Sequence, residues 1–166
     1  SQNIAIDESL TLWRGRLLFR QYIPLKASKF GIKTFELCES SSGYLWSFIV
    51  YIGKDTPFNF NLPISYSKSK SAQIVMSLVE AFVGEGLHIV DGQLLQFPSI
   101  SQNIERKKTD CAGTLRLNRK DVPKVIKEYK LKRGEIAALH AGPISIVKWC
   151  DKKHVTVIST FHDDTM

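Results

Sequence analysis

The sequence predicts an α/β domain built on a mixed sheet, and three observations support this class. Short runs of β-branched and aromatic residues recur along the chain, a hairpin stands near its start, and one central stretch has the apolar spacing of a helix. Further strands follow that helix, so the sheet combines an antiparallel part with βα units. A length of 166 residues is typical of one domain, and we assign residues 1–166 to it.

The first half of the chain is predicted from alternation and turn residues. A short strand ends at a pair of carboxylates, an extended loop contains Gly15, Pro24 and Gly31, and two β-rich runs flank Ser-Ser-Ser-Gly as a hairpin. A second loop is rich in Ser, Asn and Pro. These elements cover residues 3–8 (strand), 14–31 (loop), 32–39 and 44–51 (hairpin) and 58–69 (loop).

The second half opens with an amphipathic helix. Its apolar residues recur at i, i+1, i+4, i+5, i+8 and i+9, and Gly84 and Gly86 end it. A later short helix is opened by Asp121 and Pro123. The predicted order is helix 71–83, strand 87–92, helix 99–107, strand 109–117, helix 122–129, and strands 136–140, 144–149 and 155–160.

Two of the predicted strands carry an aspartate near the end. A crossover through the central helix would return the Asp91 strand parallel to the Asp7 strand and bring the two carboxylates together. Carboxylates held close repel each other unless a divalent cation lies between them, and Mg²⁺ prefers such hard oxygen ligands. The alternative is that Asp7 and Asp91 are unrelated residues at strand ends.

The net charge of +7 is concentrated in two basic blocks. Residues 13–33 carry six basic and no acidic residues, interleaved with aromatic ones, and residues 106–133 have a net charge of +8. Such blocks neutralise phosphates and release counterions, which is the main source of sequence-independent affinity for nucleic acids. The alternative is a solvated surface that keeps the protein soluble.

Several classes of protein are excluded by composition. An apolar content of 43% and a charged content of 23% exclude a disordered or collagen-like chain. No apolar run approaches about 18 residues, so we expect no transmembrane helix and no membrane partner. No signal peptide is expected, and a start within a strand indicates a piece of a longer protein. Cys38, Cys111 and Cys150 are far apart, which favours reduced thiols in the cytosol or nucleus and no zinc site.

Several stretches of the chain form an ordered set of motifs. They are Ile6-Asp7-Glu8-Ser9-Leu10, Trp13-Arg14-Gly15-Arg16, Phe19 to Lys26, Lys29 to Lys33, Lys107 to Cys111, Gly113 to Arg116, Asn118-Arg119-Lys120, Val147-Lys148-Trp149 and Asp151-Lys152-Lys153. Together they resemble the piggyBac transposase family. The resemblance covers nearly the whole chain and keeps the order of the motifs, which makes it far more specific than any single one.

The resemblance implies an RNase H-like mixed sheet with flanking helices, of the DDE transposase type and incomplete at its C-terminal end. The first two carboxylates of the family's catalytic triad fall on Asp7 and Asp91, which would be catalytic residues and ligands of Mg²⁺, or of Mn²⁺. Gly92 replaces the Asn that usually follows the second Asp, and the aromatic-Thr-Ser run after it is missing. Asp163 and Asp164 come too early to match the third carboxylate.

Two functions remain open. The first is a transposon-derived module that binds DNA, either transposon ends or any duplex, without strand-transfer activity as this chain. The second is an active, metal-dependent DNA transposase when the missing C-terminal part is present. A third alternative is a chain that does not fold stably, because a core without its last helix leaves one sheet face partly uncovered. We expect a nuclear location and allow for a homodimer. The predicted DNA-binding residues are Arg14, Arg16, Arg20, Lys26, Lys29, Lys33, Arg116, Arg119 and Lys120.

Overall fold

A computed structural model describes residues 3–24, 26–27, 29–58, 70–82, 85–91, 109–118 and 122–160. These residues form strands, two α-helices and one 3₁₀ turn. The strands are β1 (Asn3–Leu12), β2 (Gln21–Tyr22), β3 (Phe30–Glu39), β4 (Leu45–Val50), β5 (His88–Asp91), β6 (Asp110–Thr114), β7 (Ile136–Ala141), β8 (Ile144–Cys150) and β9 (His154–Ser159). The helices are α1 (Lys70–Val79), which continues into the 3₁₀ turn Glu80–Phe82, and α2 (Lys124–Glu128).

All described strands belong to one mixed sheet. Its order is β2-β3-β1-β5-β6-β9-β8-β7, and β4 also pairs with β3. The strands β4, β3 and β1 are antiparallel, whereas β1, β5 and β6 are parallel. The predicted fold class is confirmed, and so is the predicted parallel pairing of the Asp7 strand with the Asp91 strand.

The predicted hairpin is confirmed as β3 and β4. The turn closes through a hydrogen bond of 2.9 Å from the Gly43 amide to the Glu39 carbonyl, and Gly43 has a φ of 72° that favours glycine. The Ser42 hydroxyl donates to the Glu39 carboxylate and lowers the pKa of that group. Local turn chemistry therefore closes this hairpin, and its register shifts once, between Leu37 and Cys38.

The first core lies between α1 and the sheet. Alternate residues of β1 point toward the helix. Ile4 and Ile6 are therefore buried, whereas Asp7, the next residue, is exposed on the other face. The apolar spacing of α1 buries Val75, Leu78 and Val79 against these strands. Burial of one such side chain stabilises the fold by about 1.5–3 kcal/mol.

A second core lies under α2. Ile126 of this helix packs against apolar residues of β8 and β9, including Ile146 and Ile158. The same strands supply Lys148, whose side chain is only 2% exposed. Its ammonium donates to the carbonyls of Ile126 at 2.9 Å and Tyr129 at 2.7 Å. These are carbonyls at the end of α2 that lack helical partners, so Lys148 caps that helix.

Both cores lie on the same face of the sheet. Directly paired residues project from one face, and residues two apart on a strand do the same. In the first core, the directly paired residues Ile4, Ile89 and Cys111 form one row across β1, β5 and β6. At the second core, Gly113, Ile158, Ile146 and Leu139 form another row across β6, β9, β8 and β7. Cys111 and Gly113 are two residues apart on β6, so both rows lie on one face. Among the described residues, no helix packs on the opposite face. That face carries Asp7 and an apolar cavity of 660 Å³ lined in part by Val147, Trp149 and Val157.

Some boundaries differ from the predictions. Strand β1 extends to Leu12 instead of ending at Glu8, because β3 continues to pair with it as far as Gly31. The predicted loop 14–31 contains the short strand β2. The predicted helix 99–107, and the loop after Phe58, lie outside the described residues. No helix in the described ranges is long and apolar enough to cross a membrane.

Candidate carboxylate site and nucleic-acid interface

Asp7 lies on β1, beyond the point where β5 ends. The last pair between these parallel strands joins Ile6 to Asp91, so Asp7 is the next residue along β1. Its side chain is exposed, and Oδ1 accepts a hydrogen bond of 2.8 Å from the Glu8 amide. The carboxyl ends of parallel strands are the usual location of ligand sites in α/β sheets.

Asp91 is the final residue of β5. Its backbone stands one register position from Asp7, and its side chain lies outside the described part of the chain. The register therefore places the two backbones side by side, with Asp91 paired to Ile6 and not to Asp7. The expected meeting of the two carboxylates stays a prediction. The roles of Asp7 and Asp91 as catalytic residues and metal ligands stay predictions.

A further carboxylate lies opposite Asp7. Glu36 of β3 is the direct partner of Asp7 in the antiparallel ladder, so both side chains project from the face opposite the helices. Glu36 accepts a hydrogen bond of 2.6 Å from the Thr34 hydroxyl. Sequence reasoning missed this pair, because register across a hairpin and a third strand is not visible locally. Among the described side chains, no group of three His, Cys, Asp or Glu residues is arranged to hold a metal ion.

Glu8 points the other way and is already paired. Its Oε2 lies 2.5 Å from Nζ of Lys33, and that ammonium also stands over the Phe35 ring at 4.8 Å. Lys33 is one of the predicted DNA-binding residues, and its charge is balanced locally by Glu8.

The remainder of the first basic block forms a loop at the end of β1. Arg14, Arg16, Arg20, Lys26 and Lys29 are all exposed. The stretch from Ile23 to Lys29 is closed by a hydrogen bond of 2.8 Å from the Ile23 amide to the Lys29 carbonyl. The structure thus gathers five of the six predicted cations of this block on one exposed segment, which we call the basic loop (residues 14–24, 26–27 and 29).

Arg20 differs from the other residues of the basic loop. Its guanidinium lies 3.5 Å from the Arg14 carbonyl and 3.4 Å from the Gly15 carbonyl, and it stacks over the Phe30 ring at 4.9 Å. Residues 14–18 and 20 also line an open depression of 390 Å³. Arg20 therefore holds the loop against the end of β3 while Arg14 and Arg16 project outward.

The second basic block is described only in part. Arg116 is exposed just after β6, and Lys124 and Lys127 lie on α2. Arg119 and Lys120 lie outside the described residues, so their predicted role in DNA binding is not addressed by the structure. Arg133 pairs with Asp151 at 3.3 Å, which balances one cation at the end of this block.

Comparisons with known proteins point to one family. A family model described as Transposase IS4, of the DDE transposase type, matches residues 1–166. A cryo-EM structure of a piggyBac transposase synaptic complex with hairpin DNA is similar to this chain, with a TM-score of 0.84 and 29% sequence identity. The alignment covers 100% of this chain and 34% of that one, so this chain spans about a third of the length of the matched protein. The chain therefore belongs to the piggyBac-type transposase family.

Proposed function

We propose that this chain is a transposon-derived DNA-binding domain with an RNase H-like core, and that it does not perform strand transfer as these 166 residues. The observation that carries the proposal is the basic loop, where Arg14, Arg16, Lys26 and Lys29 are exposed beside the strand of Asp7. Charges in this arrangement can neutralise successive phosphates of a duplex. The DNA named for the matched transposase complex supports the same class of ligand.

The residues near Asp7 fit a hard divalent cation in their chemistry. Asp7 is exposed and uses one oxygen for the Glu8 amide, and Asp91 ends the neighbouring parallel strand. Carboxylate oxygens with access to water suit Mg²⁺ or Mn²⁺. DDE transposases generally use divalent ions, which when bound activate the attacking oxygen and stabilise the leaving one at phosphorus. The contribution of this chain would be to hold such an ion with Asp7 and Asp91 and the DNA with the basic loop.

The lack of activity is proposed on electrostatic grounds. In-line displacement at phosphorus uses two metal ions about 3.5–4 Å apart, and each needs several fixed ligands. Within these 166 residues, two positions match the family's triad and none matches the third. Glu8 is paired with Lys33 and therefore does not replace the third carboxylate.

The alternative is an active transposase when the rest of the protein is present. Retention of Asp7 and Asp91 favours it, together with the fact that the chain spans 34% of the matched protein. Under either function we propose a nuclear location, since the ligand is DNA. We also propose that the chain forms a homodimer, which a measurement of its mass in solution tests.

DNA binding is tested by charge reversal with a matched control. The affinity of the chain for duplex DNA should fall by about 10³–10⁵ between 50 and 200 mM salt if six to ten phosphates are contacted. In the double variant Arg14→Glu/Arg16→Glu, the slope of log K against log salt should fall by about 0.9 for each lost contact. The control Lys152→Glu/Lys153→Glu makes the same change of charge in the exposed β8–β9 turn and should keep the slope. Equal slopes in the parent chain and in both double variants would show that the basic loop does not contact the DNA phosphates.

Catalysis is tested separately with the same protein. We expect no cleavage of duplex or hairpin DNA in Mg²⁺ or Mn²⁺. Asp7→Ala should bind DNA as well as the parent chain, or slightly better, because it removes a negative charge near phosphate. Metal-dependent nicking that disappears in Asp7→Ala would establish the enzyme instead.

A further inference from the structure

Three planar side chains are stacked where the basic loop meets the sheet. Tyr22 of β2 and Phe30 of β3 are direct cross-strand partners, with ring centroids 4.8 Å apart and ring planes at 37°. The Arg20 guanidinium lies over the same Phe30 ring at 4.9 Å. We call these residues the Arg20–Phe30–Tyr22 stack.

The stack is exposed although two of its members are aromatic. Tyr22 is 57% exposed and Phe30 is 45% exposed. Trp13, whose indole packs against Gly15, adds another aromatic side chain at 44% exposure. Aromatic surface left in water forgoes the stabilisation of burial, so a cluster of this kind is typical of a binding site.

The backbone around the stack is positioned by strand pairing and by one close approach between strands. Gly31 follows Phe30 and approaches β1 so closely that a Cβ there would lie 2.3 Å from the Thr11 carbonyl oxygen. The Trp13 amide donates to the Phe30 carbonyl at 3.4 Å, and the pairing of Gln21 with Gly31 anchors β2. A platform ordered in advance loses little entropy when a flat ligand stacks on it.

The charge around the stack identifies the class of ligand. Lys29 immediately precedes Phe30, Arg14 and Arg16 are exposed in the same loop, and residues 13–33 contain no acid. Aromatic side chains set among cations are what proteins use to bind unpaired strands, because bases stack on the rings while phosphates meet the cations. A duplex keeps its bases stacked on each other and would use only the cations.

We propose that the Arg20–Phe30–Tyr22 stack is a binding platform for an unpaired DNA base, with the neighbouring cations holding its phosphates. The inference rests on the proposed DNA binding and adds a preference for single-stranded segments. Arg20 acts in it as a positioning residue through Phe30, and Tyr22 offers the more exposed ring to the base.

The test compares two ligands of equal length, an oligothymidylate of about 16 nucleotides and a duplex. Tyr22→Ala should weaken oligothymidylate binding by about 5- to 150-fold, which corresponds to one lost base stack, and change duplex binding by less than about twofold. Tyr22→Phe keeps the ring and should keep the affinity. Tyr44→Ala removes a similarly exposed tyrosine that packs on Trp46, away from the basic loop, and should bind both ligands as the parent chain does.

Stacking itself is read from 2-aminopurine placed in the oligothymidylate. Its fluorescence should be quenched by the parent chain and by Tyr22→Phe, and not by Tyr22→Ala. If the parent chain binds the duplex and Tyr22→Ala binds oligothymidylate with unchanged affinity, the platform is overturned and the proposed function stands. Failure of the parent chain to bind either ligand would overturn both. An equal loss of both ligands in Tyr22→Ala would show a structural role and also overturn the platform.

Discussion

Lys33 and Glu8 form an ion pair of 2.5 Å between β3 and β1, on the face that carries α1. Lys33 also lies over the rings of Phe35 at 4.8 Å and Tyr51 at 5.9 Å. The pair thus separates one cation of the first basic block from the others. Lys29, only four residues earlier, is exposed in the basic loop.

We therefore expect Lys33 and Lys29 to respond in opposite ways to removal of charge. Lys33→Met should lower the free energy of unfolding by about 1 kcal/mol, from the lost ion pair and cation–π contacts, and keep the salt slope of duplex binding. Lys29→Met should keep the stability and reduce the slope by about 0.9. Urea unfolding and binding titrations over a range of salt measure the two effects. A reduced slope in Lys33→Met would show that its ammonium leaves Glu8 for phosphate.

Lys148 provides a test of the second core. Lys148→Met keeps the length of the side chain and leaves the Ile126 and Tyr129 carbonyls without their donor, so we expect a loss of about 2 kcal/mol. Lys152→Met makes the same substitution at an exposed position and should change stability by less than about 0.5 kcal/mol. Urea unfolding of both variants is the measurement. Equal stability of the two would mean that water replaces the ammonium at the end of α2.

Gly31 and Gly43 should tolerate alanine to different degrees. At Gly31 an added Cβ would lie 2.3 Å from the Thr11 carbonyl oxygen, so Gly31→Ala must separate β1 from β3. At Gly43 an added Cβ meets nothing within 4 Å and only the positive φ of 72° is unfavourable. We expect a loss of about 1 kcal/mol for Gly43→Ala and a larger one for Gly31→Ala. Thermal unfolding of both variants measures the two losses of stability. A larger loss in Gly43→Ala than in Gly31→Ala would contradict the close approach of β1 and β3.

Cys38 should make stability depend on alkaline pH. Burial raises the pKa of its thiol, and the carboxylate of Glu36 raises it further. Because the native state then holds the proton more tightly than the unfolded chain, this contribution is complete below the unfolded thiol pKa of about 8.5 and is lost as pH rises through the native value. The urea midpoint should fall more steeply above that pH in the parent chain than in Cys38→Ala.

The same effect should slow alkylation of Cys38. Iodoacetamide reacts with the thiolate, so at pH 8 Cys38 should react more slowly than a cysteine peptide. Glu36→Gln removes the neighbouring negative charge and should raise the rate. Site-resolved mass spectrometry separates Cys38 from Cys150, which serves as the internal control. A rate equal to that of the peptide would show that Cys38 is not shielded.

Much of the fold follows from short stretches of the sequence. The Ser-Ser-Ser-Gly turn between two β-rich runs predicts the β3–β4 hairpin, because its chemistry is local. The apolar spacing in residues 71–83 predicts α1, although the structure ends that helix at Val79 and adds a 3₁₀ turn. A helix between two strands predicts their parallel pairing, and β1 and β5 are paired in that way.

The chemistry of the candidate site depended more on tertiary structure. The sequence determined by itself that Asp91 lies at a strand end and that cations cluster in residues 13–33, whereas the strand end that it predicts at Glu8, next to Asp7, lies at Leu12 in the structure. Only the register of β1 with β3 decided that Glu36 faces Asp7 and that Lys33 is bound to Glu8. Only packing decided that Lys148 is buried, with its ammonium bound to carbonyls at the end of α2, while Lys152 is exposed. Alternation and turn signals act over a few residues, whereas these contacts join positions brought together by pairing between distant strands, and their energies exist only once the sheet has formed.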